Sequence, residues 1–259
     1  MKRLFIIVGF NILVRLVQAE DEIQSKGYSI PTIDLSKQAH RQIVVDREKG
    51  QYLGHPTTVL LEDKKTMLIV YPKGHGRGGI VYKRSNDGGL TWSSRIPTPK
   101  SWSTSKEVPT LHRVIDASGQ KRLIMWSGLY PARLAISEND GDSWSELKPA
   151  GDWGGIVVMG CLEPLKTGKG NYMAMFHDDG RFFKGAMKRE SNPVFTLFKT
   201  FSKDGGLTWS YPEALLARSD VHLCEPGIIR SPDGKQLCVL LRENARRRNS
   251  FVIFSSDEG

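Results

Sequence analysis

Ser85-Asn86-Asp87-Gly88-Gly89-Leu90-Thr91-Trp92 decides the fold, because the chain repeats it. The frame returns as Ser137-Glu138-Asn139-Asp140-Gly141-Asp142-Ser143-Trp144 and as Ser202-Lys203-Asp204-Gly205-Gly206-Leu207-Thr208-Trp209. A fourth copy, Ser255-Ser256-Asp257-Glu258-Gly259, stands at the end of the 259 residues. The physical job of each position can be read directly. Asp or Asn and Ser or Thr bond local backbone, glycine takes the positive φ of a tight turn, and tryptophan packs the turn onto its strands.

A second marker runs in phase with the first. His55-Pro56, Val108-Pro109, Glu163-Pro164 and Glu225-Pro226 each open an apolar stretch, and the proline precedes the octapeptide serine by 29, 28, 38 and 29 residues. The prolines are 53, 55 and 62 residues apart. Between the markers lie short β-rich runs, such as Met67–Tyr71, Gly79–Tyr82, Arg122–Trp126, Tyr172–Phe176 and Gln236–Leu241. Asp/Gly/Ser turns separate them, and no window holds a helical period. Units of this length with several strands each predict an all-β fold, a β-propeller of four-stranded blades, with about four blades in this chain.

Composition agrees with a packed globular fold: 39% of residues are hydrophobic and 25% charged, with 26 glycines and 13 prolines. A disordered, collagenous or coiled-coil chain is excluded. The net charge of +9 favours anionic partners. Lys2 and Arg3 precede the apolar run Leu4–Leu13, and Val17-Gln18-Ala19 has the small residues of a cleavage site, so residues 1–19 read as an export signal. A secreted or periplasmic location follows as an expectation, with residues 20–49 as a lead-in and 50–259 as the propeller. Cys161, Cys224 and Cys238 are too few for a disulfide framework and have no zinc spacing, so buried thiols and no metal or cofactor are expected.

The octapeptide repeat resembles the Asp-box of the sialidase (neuraminidase) superfamily, over about residues 50 to 259. That resemblance implies a six-bladed propeller and an exo-sialidase activity on sialylated or other acidic glycans. Two blades would then be missing, and the expectation is an incomplete and poorly soluble chain. The stretch Cys224-Glu225-Pro226 through Arg242-Glu243-Asn244 resembles the sialidase segment in which a glutamate base for a tyrosine nucleophile precedes a carboxylate-binding arginine. It implies Glu225 as that base and Arg242 as that arginine, while the tyrosine and a third arginine would lie beyond residue 259. A guanidinium fork suits a carboxylate, since it binds bidentately and stays charged. With Pro232-Asp233 as a two-residue turn, Glu225 faces Leu240 and stands diagonal to Arg242, roughly 7 to 8 Å away; a bulge at Gly234 would reverse that parity.

Other family positions differ. Gly54-His55-Pro56 stands where the family has its first arginine, so His55 could hold a carboxylate only when protonated. The loop Lys73-Gly74-His75-Gly76-Arg77-Gly78-Gly79 lacks the family's acid/base aspartate; His75 is a candidate replacement and Arg77 a candidate anion contact. His177-Asp178-Asp179-Gly180-Arg181 offers Asp178 as another carboxyl donor, or a plain Asp-Gly turn. Gly74-His75-Gly76-Arg77-Gly78-Gly79 matches a dinucleotide fingerprint, but β-rich sequence follows where a helix must start. Arg246-Arg247-Arg248 lacks interleaved aromatics, which speaks for a solvated rim rather than nucleic-acid binding. No membrane span is expected. Two other functions stay open: a non-catalytic glycan-binding propeller, and a glycosidase for a neutral or uronic sugar on the same fold.

Overall fold

The computed structural model describes residues 31–75, 78–128, 130–185 and 194–259. The expected export signal at 1–19 and Arg77 lie outside the described residues. The chain divides into residues 1–42 and 43–259. In the first unit, a 3-10 turn spans Ala39–Arg41, and the Gln42 side chain donates to the Leu35 and Ser36 carbonyls.

The second unit is a series of four antiparallel meanders. Blade one holds β1 (Thr57–Leu60), β2 (Met67–Pro72) and β3 (Ile80–Ser85). Blade two holds β4 (Thr110–Ile115), β5 (Lys121–Ser127), β6 (Arg133–Ser137) and β7 (Lys148–Pro149). Blade three holds β8 (Val158–Pro164), β9 (Tyr172–Asp178), β10 (Thr196–Ser202) and β11 (Glu213–Ala217). Blade four holds β12 (Leu223–Arg230), β13 (Leu237–Glu243) and β14 (Phe251–Ser255). The first strands β1, β4, β8 and β12 neighbour one another, so they form the inner ring. The chain is an all-β propeller, as the repeat predicts.

Second strands lie between two apolar seams, which explains their continuous hydrophobic runs. Every residue of β9 is buried. Its Ala174 and Phe176 join Val114, Ile124 and Trp126 of blade two, while Met173 and Met175 join Leu223, Leu237, Val239 and Leu241 of blade four. Leu68, Val70 and Tyr82 meet Leu111, Leu123 and Met125 between blades one and two.

The octapeptides close the hairpins by the expected bonds. In blade three the Ser202 hydroxyl donates to Asp204 Oδ1 at 2.8 Å and accepts the Gly206 N–H at 2.8 Å. Asp204 also accepts the Thr208 N–H, and Trp209 Nε1 donates to the Gly206 carbonyl at 3.0 Å. Ser85, Asp87, Gly89, Thr91 and Trp92 repeat the pattern in blade one. Gly205 and Gly206 have φ of 77° and 84°, where a side chain would be strained. Each later octapeptide also reaches the preceding blade. Tyr82 donates its hydroxyl to the Gly141 carbonyl at 2.8 Å, a Cβ on Gly205 would lie 2.7 Å from that of Asp116, and Glu258 accepts the Lys166 N–H at 2.9 Å.

Two expectations are corrected. Blades one and four have three described strands rather than four; in blade one, Ser93 and Ile96 bond to Arg84 and Tyr82 but form no regular ladder. Pro164 does not open a strand. It ends β8, paired with Tyr172, and blade three begins at Val158 without a proline. The 38-residue offset there reflects the long loop between β9 and β10.

Candidate active site at the propeller mouth

The inner strands begin at one end of the propeller, and the residues just before or at those beginnings form the candidate site. His55 precedes Pro56 in blade one with φ of 51°, and Glu225 precedes Pro226 in blade four with φ of 50°. A following proline restricts a residue to extended backbone, and left-handed backbone at a non-glycine costs on the order of 1–3 kcal/mol. The same strained pre-proline posture recurs at the two mouth positions.

Glu225 lies in a break of the β12–β13 ladder: Cys224 pairs with Arg242 and Gly227 with Leu240, with a register shift between them. The expected two-residue turn is therefore wrong. Arg230 pairs with Leu237, so the hairpin is longer, and the bulge sits at Glu225-Pro226 rather than Gly234. Glu225 therefore does not face Leu240, and Arg242 lies opposite its neighbour Cys224; the two expected partners do meet, Arg242 Nη1 donating to Glu225 Oε1 at 2.7 Å. The Glu225 N–H, which has no ladder partner, donates to His177 Nδ1 at 3.2 Å.

His55 and His75 do meet. Their ring centroids are 4.5 Å apart at 69°, and Tyr52 stands 6.2 Å and 6.3 Å from them. Burial, then the neighbouring His75 charge, holds the His55 imidazole below its ordinary pKa against the opposing pull of Glu225. The charged form of His55 is thus disfavoured, whereas the sialidase resemblance expects a permanently charged arginine at this position.

Sequence reasoning missed Glu107, which lies two residues before Pro109 in blade two. Burial pushes its carboxyl above the ordinary value, outweighing the Val108 N–H bond and the charges of His75 and Arg181, and Glu225 pushes the same way. Its signal was position alone, since His55 and Glu225 also stand just before marker prolines. His177, at the end of β9, was quoted only for its neighbour. It is buried, and burial pushes its imidazole down to about 4.

Asp178 is fully buried, and its carboxylate accepts the Gly180 and Phe182 N–H groups, so it closes the turn after β9. Burial pushes it up to about 6. Asp179 and Arg181 form an ion pair at 2.5 Å, with the guanidinium 4.7 Å over the Phe182 ring. Among the described residues no three His, Cys, Asp or Glu side chains gather to hold a metal ion. The three cysteines are free, and burial pushes the Cys161 and Cys224 thiols up to about 12. A cavity of about 400 Å³, lined by Met173, Met175, Leu237, Val239 and Phe254, includes none of the mouth residues. No helix among the described residues is long and apolar enough to cross a membrane.

No family model matches the chain, and no curated protein sequence matches it. Solved structures do. A protein of unknown function from Dyadobacter fermentans DSM 18053 is 14% identical, with a TM-score of 0.63 over 84% of this chain and 69% of its own. The α-L-arabinofuranosidase PaAbf62A from Podospora anserina, in complex with cellotriose, is 14% identical, with a TM-score of 0.54 over 82% of this chain and 66% of its own. The GH43_1 enzyme from Xanthomonas citri, complexed with xylose, is 8% identical, with a TM-score of 0.54 over 82% and 72%. The two hydrolases share the β-propeller fold, and at these identities the likeness extends to fold alone.

Proposed function

We propose that the chain carries the active site of a glycoside hydrolase whose sugar is neutral rather than sialic acid. One observation carries the reading: two carboxyl groups at the mouth have different surroundings, one partly buried with no ion pair among the described residues and one paired with an arginine. Burial pushes the Glu107 carboxyl above its ordinary value, towards the protonated form, while Glu225 is paired with Arg242 at 2.7 Å. Glycosidases need such a pair, one acid to protonate the departing oxygen and one carboxylate as base or nucleophile. Glu107 takes the first role and Glu225 the second.

The choice of a neutral sugar rests on the cations. Arg242 is occupied by Glu225 and Arg181 by Asp179, and the charged form of His55 is disfavoured, so among the described residues these groups offer no free cation to a sugar carboxylate. Breaking either pair would expose an acid of the site itself. Structural neighbours named as an arabinofuranosidase and a xylose-bound enzyme support a neutral sugar. Exposed Tyr52 beside His55 and His75 gives a ring face for sugar C–H groups. The export signal proposed for residues 1–19 would bring the site to extracellular glycans.

A sialidase reading is favoured by the octapeptide repeat and by the Glu225 and Arg242 pair, with Glu225 then serving a tyrosine nucleophile. The full chain, incubated with aryl α-L-arabinofuranoside, β-xyloside, β-glucuronide and α-sialoside, separates the readings. Release from a neutral pentoside supports the proposal, and release from the sialoside alone replaces it with the second reading. Glycan binding without any release leaves a non-catalytic lectin and ends both.

A further inference from the structure

We propose that His177 is a positioning residue: its Nδ1 accepts the Glu225 N–H and holds Glu225 in the left-handed backbone conformation that directs its carboxylate to Arg242. The inference rests on Glu225 being a functional carboxylate of the mouth, but its test reads no turnover.

The need for an outside partner is built into the local chain. Glu225 precedes proline at φ of 50°, a conformation that must be fixed by its surroundings. The ladder that would fix it is interrupted between Cys224 and Gly227, and Pro226 has no N–H. The acceptor comes instead from the adjacent blade, at 3.2 Å. An imidazole accepting at Nδ1 carries its proton on Nε2, so the geometry fixes the tautomer.

His177 is itself held. Its ring lies 5.8 Å from Phe195 at 19°, and Phe195 lies 4.8 Å from His222 at 7°. His222 immediately precedes β12, so the three-ring stack joins the end of β9 to the start of the strand that carries Glu225. The charged groups that bear on His177 are Glu225, Asp179 and Arg242. The ring is only 4% exposed, so water is a poor substitute for its bond to Glu225. Loss of the acceptor would leave a strained, unpaired N–H and release the Glu225 backbone.

Two substitutions give opposite outcomes under positioning and under packing. His177→Phe keeps a ring in the stack but has no acceptor, whereas His177→Asn keeps an acceptor near Nδ1 and loses the ring. Amide exchange of the ¹⁵N-labelled chain at pH 7 is read at Glu225, with Ala174 and Phe176 of β9 as controls. Positioning predicts that exchange at Glu225 speeds about tenfold in His177→Phe, as expected for one lost hydrogen bond, and stays near wild type in His177→Asn. The reverse order, or equal acceleration of Glu225 and the β9 controls in both, makes His177 a packing residue and overturns the proposal. If His177→Phe fails to fold, the wild-type ring decides: ¹⁵N shifts must show Nδ1 as the bare nitrogen, and a protonated Nδ1 at pH 7 overturns it. An inactive chain with a protected Glu225 amide would end the glycosidase reading and leave the positioning intact.

Discussion

At the octapeptide turn of blade one, Asp87 gathers the Thr91 hydroxyl and N–H and the Ser85 hydroxyl, and these donors hold its carboxyl down at about 2. At the mouth, Glu107 has one backbone donor and a covering of protein, and burial drives its carboxyl the other way. Asp204 lies between these extremes: burial opposes its ionisation, but the bonds from Thr208 and Ser202 prevail. The difference shows how one fold pushes two carboxyls in opposite directions, and under the proposed function it separates the turn from the chemistry. Where donors are supplied within a few residues the charge is favoured, and where burial outruns the donors the protonated form gains.

Removing the mouth carboxyls should give the largest effect. Glu107→Gln and Glu225→Gln should each lower kcat on a cleaved aryl glycoside by about 10²–10⁴ with little change in melting temperature, whereas Asp87→Asn should leave kcat near wild type. Equal losses of activity at turn and mouth would erase the distinction. Calorimetry of the turns should reverse the ranking. Trp209→Ala, which empties a buried seam, should cost about 3–5 kcal/mol, and Trp92→Ala distinctly less, since Trp92 is only half-buried.

The register and the mouth were not legible in the same way as the turns. The bonds that close each octapeptide turn join residues within four positions, as Ser202 to Gly206 or Asp204 to Thr208, so eight letters contain the turn. The mouth draws on Glu107, His177 and Glu225 from three blades, and no local pattern contains it. The bulge at Glu225-Pro226 has no sequence signal beyond the proline, yet it moves Arg242 from the diagonal to a place opposite Cys224, next to Glu225. Pro164 shows the opposite failure: it has the right neighbours in sequence and lies at the wrong end of its strand.

Asp178 tests whether burial can win even in a turn. Its folded value of about 6 lies above the ordinary 3.8, so its contribution is present below about pH 4 and lost as pH rises through about 6. His177 runs oppositely: its contribution is present above 6.5 and lost as pH falls through about 4. Asp178→Asn should therefore be most favourable relative to wild type at pH 7, with the difference shrinking by on the order of 2 kcal/mol by pH 4. Paired denaturant titrations at the two pH values measure it, and a constant difference would place Asp178 with the turn carboxylates. The smallest effect should be that of Arg242→Lys. If its role is to balance Glu225, kcat/KM on a neutral pentoside should change by less than about tenfold, since lysine keeps the charge and loses the fork. A much larger loss, confined to an acidic sugar, would move Arg242 from balance to substrate grip.

The octapeptides reach back to the preceding blade, and one of them is chemically unlike the rest. Asn139 closes the blade-two turn with a neutral amide, accepting the Ser143 N–H and donating to its hydroxyl, where blades three and four use Asp204 and Asp257. Strong acid can discharge these two turns and the Asp87 turn of blade one, but not the Asn139 turn. The blades are coupled in series, each octapeptide after the first reaching the blade before it, and the only one of these three links with an uncharged turn is that of Asn139, between blades one and two. Acidification should therefore loosen the links of blades three and four before the link between blades one and two, where Tyr82 bonds the Gly141 carbonyl, as amide exchange at low pH would show.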